Sequence, residues 1–230
     1  MKVTRTTGYN STLAIGGVSS PNDSFLVAES SSLRTNFVLK SPPIANLQNV
    51  IGYVADDLKQ KFMYRQIETE RLLIRPINIT DTSFILDLLN SDGWLQFIGD
   101  RKVKNVVDTE KYIQNILDNE KFYYSVFELK ESKQKVGIIT FLYRDNQQFP
   151  DIGFAMLPEF DKKGYAIEAT KKYLEEIANE KKVNKVIAIT LPDNSKSIRL
   201  IERLGLKYED EIQDNSKILY LYSRTLFYNE

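Results

Sequence analysis

The chain contains no cysteine and no histidine in 230 residues. Without them it cannot build a thiolate nucleophile, a serine–histidine relay or an ordinary zinc site, so no metal is expected. It has no excess charge either: 31 Lys and Arg are matched by 31 Asp and Glu. Nothing global therefore calls for a polyanion such as nucleic acid, and any anion must be bound by local charge. No apolar run is long enough to span a bilayer, and the start Met1-Lys2-Val3-Thr4-Arg5-Thr6 lacks the apolar core of a secretory signal. Read together, these absences describe a soluble cytoplasmic protein with no nucleic-acid or membrane partner, whether monomer or homodimer.

The length suits one domain, or one domain plus an extension. Residues 1–65 differ in texture from the rest, being rich in Ser and Asn with few charges before Asp56 and Asp57. Thr12 to Val18, Ser24 to Ala28 and Asn36 to Leu39 have the composition of short strands. Leu47, Val50, Ile51, Val54, Leu58 and Phe62 recur at helical steps, which predicts a helix over 44–63 that packs on the main domain or meets a partner. A boundary near Tyr64 to Glu68 separates this extension from a domain over 66–230.

From Glu68 onward the pattern predicts the order βααβββαβαββ. A strand, Arg71 to Arg75, stops at Pro76, and Asp81 is placed to cap a helix carrying Phe84, Ile85, Leu88 and Leu89 inward. Asp92 to Gly99 reads as a loop exposing aromatics, and a second helix starts at Asp108 or Thr109. Three strands, Tyr123 to Leu129, Val136 to Tyr143 and Asp151 to Leu157, form a meander joined by turns of hairpin length. A helix over Gly164 to Lys181, a buried strand over Lys185 to Thr190 and a short helix over Ser195 to Leu204 follow. Lys207 to Glu211 with Lys217 to Arg224 makes a last hairpin. The expected fold class is α/β, a mixed and mostly antiparallel central sheet flanked by helices.

Chemistry concentrates at two strand-to-helix turns. In Pro158-Glu159-Phe160-Asp161-Lys162-Lys163-Gly164-Tyr165-Ala166 the residues Gly164 and Ala166 are small where the helix begins. Amides from Lys162 to Ala166 can there converge on an anion, with Lys162 and Lys163 adding charge to a positive helix terminus. Taken alone, Gly164 equally serves a tight connection. The second turn, Asp193-Asn194-Ser195-Lys196-Ser197, caps a helix that Gly205 ends, and alone it is only a cap. Together the two turns leave the same ends of successive strands, where α/β sheets place ligand crevices.

Four stretches in chain order now carry a resemblance: Glu70-Arg71-Leu72-Leu73-Ile74-Arg75-Pro76; Ile152-Gly153-Phe154; Gly164-Tyr165-Ala166-Ile167-Glu168-Ala169; and Asn194 through Ser197-Ile198 to Ile201-Glu202-Arg203-Leu204-Gly205-Leu206. Over Glu68 to about Phe227 the chain resembles the GNAT acetyltransferase superfamily, and within it the RimJ/RimL branch of ribosomal-protein N-terminal acetyltransferases. The resemblance implies a GNAT-like acyl-CoA N-acyltransferase fold with acetyl-CoA as co-substrate. It places the pantetheine arm between two splayed strands, against the backbone near Met156 and Leu157. The pyrophosphate would rest on the amides of Lys162, Lys163, Gly164, Tyr165 and Ala166, and Asn194 and Ser197 would line the thioester. Where the superfamily commonly has Gln or Arg before its first loop glycine, this chain has Asp161, which is expected to point away.

The implied reaction is direct transfer of the acetyl group to a primary amine, a protein N-terminus or a small molecule, in a ternary complex. It needs a proton acceptor and a stabilised carbonyl oxygen. Asp151 is the candidate base, and a solvated strand-end carboxylate is the equal alternative. The tyrosine that many members use to protonate the thiolate is replaced by Ile201, which leaves Ser197, a water or Tyr208. Glu168 reads as a structural acid near a helix N-terminus. Trp94, Phe97 and Tyr143 are candidate linings of the acceptor pocket, although core packing is the ordinary fate of aromatics. The alternative function is a non-catalytic acyl-CoA-binding or protein-interaction module on the same fold.

Overall fold

The computed structural model describes residues 65–214 and 217–227. The strands and the helix over 44–63 expected in the N-terminal extension lie outside the described residues. Within them, eight strands form one sheet in the order β1-β2-β3-β4-β5-β6-β8-β7. They are β1 (Ile67–Glu68), β2 (Leu72–Pro76), β3 (Phe122–Leu129), β4 (Lys135–Leu142), β5 (Asp151–Met156), β6 (Lys185–Thr190), β7 (Lys207–Asp214) and β8 (Lys217–Thr225). All neighbours are antiparallel except β5 and β6, which are parallel.

The side-chain alternation of the strands sorts the core onto two faces. Phe127, Ile139 and Phe141 point to one face, with Ile74, Ile152 and Val186. That face is covered by α4 (Tyr165–Asn179), whose Ala166, Ala169, Tyr173, Leu174 and Ile177 are buried at steps of three and four. Val126 and Ile138, each one residue away, point to the other face. There they meet α1 (Thr82–Leu89), α2 (Asp92–Phe97) and α3 (Val106–Leu117) through Phe84, Ile85, Leu88, Trp94, Ile113 and Ile116. The fifth helix, α5 (Ser195–Arg203), follows β6 and buries Ile201.

Three local expectations are corrected. Asp81 makes no cap bond to α1; Asn78 caps the preceding 3-10 turn Ile79–Asp81, and Asp81 reaches back to the Asn78 amide at 2.9 Å. The α3 helix begins at Val106 because Asn105 accepts a hydrogen bond from the Asp108 amide at 3.0 Å. The stretch expected as an aromatic loop is the helix α2, and its Trp94 is only 5 % exposed.

Candidate active site

Strands β5 and β6 share a single facing pair, Asp151 with Ile187, closed by the Ile187 amide donating to the Pro150 carbonyl at 2.9 Å. Beyond that pair they part. On its other edge β5 is fully laddered to β4 from Asp151 to Met156, and Leu157 N–H continues that ladder to Val136 O at 3.0 Å. Antiparallel alternation therefore turns the main-chain groups of Phe154 and Met156 toward β6, where no strand pairs with them. Both residues are half-buried although β5 lies inside the sheet. Of the two residues expected beside the arm, Leu157 gives its N–H to β4 and Met156 faces the opening.

Below the opening, the chain turns through Pro158–Phe160 into α4. Lys162 and Gly164 both adopt positive φ, 63° and 81°, and Gly164 is the N-cap of α4 without a side-chain cap bond. A residue with a side chain would be strained at Gly164. No acceptor among the described residues takes the amides of Lys163 to Ile167. These donors gather at the positive end of a 15-residue helix. The Lys162 amide, also in the expected set, donates to Asp161 Oδ1 at 2.9 Å. Asp161 Oδ2 accepts from Lys196 Nζ at 2.6 Å, and this bond leads the causes that lower its pKa. The acid is thus neutralised by a lysine from α5.

The turn is braced by a residue whose role sequence reading missed. Arg71 Nη1 donates to the Lys163 carbonyl at 3.1 Å, its guanidinium lies 4.5 Å over the Tyr165 ring, and its Nε donates to Glu168 Oε2 at 2.7 Å. Burial acts to raise the Glu168 pKa, but hydrogen bonds from Thr69 and Arg71 outweigh it and hold the carboxyl below its usual range. The separation of Arg71 from Gly164 by more than ninety residues left no periodicity that would pair them.

Asp151 stands at the apex of the opening and is 4 % exposed. Arg144 Nε donates to its Oδ2 at 2.7 Å, and Nη2 of the same guanidinium lies 2.7 Å from that oxygen as an ion pair. Burial pushes its pKa up; Arg144 and the Ile189 amide, which faces the same side of β6, offset only part of this. On the β6 side, Asn194 Oδ1 accepts from the Ser197 amide at 3.1 Å, so the Asn194 carbonyl caps α5 in the first turn. Ile201 is core at 2 % exposure. Tyr208 sits on β7, with β6 and β8 between it and β5, packed edge-on against Tyr220 and Tyr222.

The aromatic candidates are not brought together. Trp94 packs in the core between α1, α3 and the sheet. Phe97 is half-buried at the end of α2. Tyr143 packs edge-on against Tyr123 and Phe141 on the α4 face, and burial followed by the neighbouring Tyr123 pushes its hydroxyl up to about 12.

A central pair of strands that parts above a glycine-capped helix N-terminus fits a ligand with a diphosphate and an extended amide-bearing arm, which is the shape of coenzyme A. The GNAT acetyltransferase domain matches residues 71–207, and the chain belongs to that family. It has the mixed α/β GNAT fold and is an acyltransferase. It is 26 % identical over 143 residues to the uncharacterized N-acetyltransferase YnaD of Bacillus subtilis, covering 62 % of this chain and 83 % of the relative. Among solved structures it resembles RimL, a ribosomal-protein α-N-acetyltransferase in complex with coenzyme A, at a TM-score of 0.62 and 15 % identity over 70 % of this chain and 98 % of the other. A spermidine N-acetyltransferase from Vibrio cholerae, in complex with CoA and spermine, gives 0.59 and 16 % over 69 % of this chain and 97 % of the other.

Proposed function

We propose that this enzyme transfers an acetyl group from acetyl-CoA to a primary amine, a protein N-terminus or a small molecule, in a ternary complex without a covalent enzyme intermediate. The parting of β5 from β6 after Asp151 and Ile187 carries this reading, because it opens main-chain groups inside a sheet that would otherwise be closed. When bound, acetyl-CoA supplies an activated thioester that an amine nitrogen can attack directly. The amides of Lys163 to Ile167 bind the diphosphate, and Phe154 and Met156 offer main-chain partners to the arm above it. Asn194 and Ser197 border the same opening from the α5 side.

Asp151 Oδ1 takes the amine proton, while Arg144 holds Oδ2 and fixes the carboxylate plane. Its raised pKa brings it nearer to an amine of pKa about 7.7–8.0, which improves the match for proton transfer. We assign the return of a proton on the leaving side to Ser197 Oγ. The domain responsible spans 66–230, with residues 1–65 as an extension.

Calorimetric titration of acetyl-CoA into the full chain and into Gly164→Trp tests the site. The expected result is loss of binding in the variant; equal affinity would move the cofactor elsewhere. Turnover with a panel of peptides, polyamines and amino compounds, read by product mass, separates an enzyme from a non-catalytic module.

A further inference from the structure

On the α1–α3 face, a group of polar side chains surrounds Asp151 that the acetyl-transfer reading does not use. Tyr124 on β3 faces Thr140 on β4, which faces Gly153 on β5, two residues from Asp151. All three therefore lie on the same side of the sheet as Asp151. Gly153 leaves this row open, since a Cβ there would come within 2.5 Å of Thr140 Oγ1. The Tyr124 hydroxyl interacts with Tyr112 from α3 and lies within the fields of Arg101, Arg144 and Asp151. Arg101, from the connection between α2 and α3, interacts with the Tyr112 hydroxyl. It forms no salt bridge to a carboxylate among the described residues.

The group is rich in donors and poor in acceptors. A guanidinium only donates, so Arg101 orients the Tyr112 oxygen as an acceptor, and the Tyr112 proton is then directed to Tyr124. The Tyr124 oxygen takes that bond as acceptor, which leaves its own proton for a ligand within the field of Asp151. Burial raises the pKa of both tyrosines, which keeps them protonated donors. The one carboxylate present, Asp151, is already matched by Arg144. With Arg101 added, the group carries a net positive charge and lacks an anion. A polyamine would meet two guanidiniums and no unmatched acid, whereas a carboxylate would complete the set.

We infer that the acceptor is an amine bearing a carboxylate a few bonds from its nitrogen, the carboxylate held by Arg101 and the Tyr124 hydroxyl while the nitrogen faces Asp151. This rests on the acetyl-transfer reading of the same opening and names its substrate class. Free amino acids and peptides with an acidic first residue both present that chemistry.

The test uses the full chain, with two readouts for each amine: kcat/KM from thiol release, and calorimetric binding to the protein saturated with coenzyme A. L-Glutamate, L-methionine, their C-terminal amides, a peptide amide starting with Glu, its Gln counterpart, and spermidine form the panel. Acids are expected to exceed their neutral counterparts at least tenfold in kcat/KM, mainly through KM. Arg101→Gln should erase that preference, and Arg101→Lys should restore part of it. The amino-acid and peptide arms show which source is used. Equal rates for acids and amides, a preference for spermidine, or a preference surviving Arg101→Gln each overturns the inference. So does an enzyme that binds acetyl-CoA yet neither binds nor acetylates any acid in the panel. Failure to bind acetyl-CoA would instead overturn the acetyl-transfer reading, and acid binding to the protein alone would still report on Arg101.

Discussion

Arg71, immediately before β2, and Glu168, in the first turn of α4, are joined through both main chain and side chain: the Arg71 amide donates to Glu168 Oε1 at 3.1 Å and its Nε to Oε2 at 2.7 Å. Because Arg71 also holds the Lys163 carbonyl, this pair fixes the glycine turn to the edge of the sheet. Glu168→Ala is expected to cost about 1–3 kcal/mol, the typical penalty for orphaning charged hydrogen bonds. It should also weaken acetyl-CoA binding several-fold, as checked by urea denaturation and by titration. The folded Glu168 pKa is depressed, so its contribution is full above the unfolded value of 4.5 and fades as pH falls through the folded one. The stability gap between wild type and Glu168→Ala should accordingly narrow in acid.

Asp151 has the opposite sign. Its folded pKa is raised, so ionising it costs stability as pH climbs from the unfolded value of 3.8 through the folded one. Turnover should rise over that same window, because only the ionised carboxylate accepts a proton. Asp151→Asn is expected to lower kcat by about a hundredfold or more with little change in acetyl-CoA affinity. Its pH–rate profile should lose the acidic limb; a variant with the wild-type profile would remove Asp151 from proton transfer.

A buried charge cluster braces the sheet away from the opening. Asp81, fully buried, receives Arg75 through two bonds of 2.9 Å and pairs with Lys135 at 2.7 Å. Removing the acid leaves Arg75 with Glu128 at 3.0 Å and Lys135 with the Thr80 carbonyl at 2.9 Å but takes away their shared buried partner, and Asp81→Ala should destabilise by about 1–3 kcal/mol in denaturant titrations. Acetyl-CoA affinity, measured where the variant is still folded, should change little.

Gly137 on β4 lies where a Cβ would come within 2.4 Å of both the Ala155 carbonyl and the Phe127 ring. Ala155 is on β5, so the clash would be passed to the strand that borders the opening. Gly137→Ala is expected to cost about 1–3 kcal/mol and to weaken acetyl-CoA binding together with stability. A thermal melt and a titration on the same sample check the coupling.

Much of the architecture was legible because burial on one face imposes a period. Phe84, Ile85, Leu88 and Leu89 announced α1, and the alternation through Val126, Phe127, Ile138 and Ile139 announced two strands. The short helix around Trp94 was not, because six residues starting Asp92-Gly93 are too few to show a helical period and have weak intrinsic preference. The two-residue β1 was missed for the same reason of length. Asp81 looked like a cap from its spacing alone; its partners Arg75 and Lys135 lie on strands that only folding brings beside it.

By itself the sequence determined the order of the longer elements, the glycine at the start of α4 and the exclusion of histidine and cysteine chemistry, since these depend on local periodicity, local backbone freedom and composition. Tertiary structure alone decided that β5 and β6 part after one facing pair, that Arg71 braces the turn, and that Arg101, Tyr112, Tyr124, Arg144 and Asp151 share one corner. Strand pairing and charge proximity are relations between distant segments, and no local pattern of residues encodes where a ladder stops.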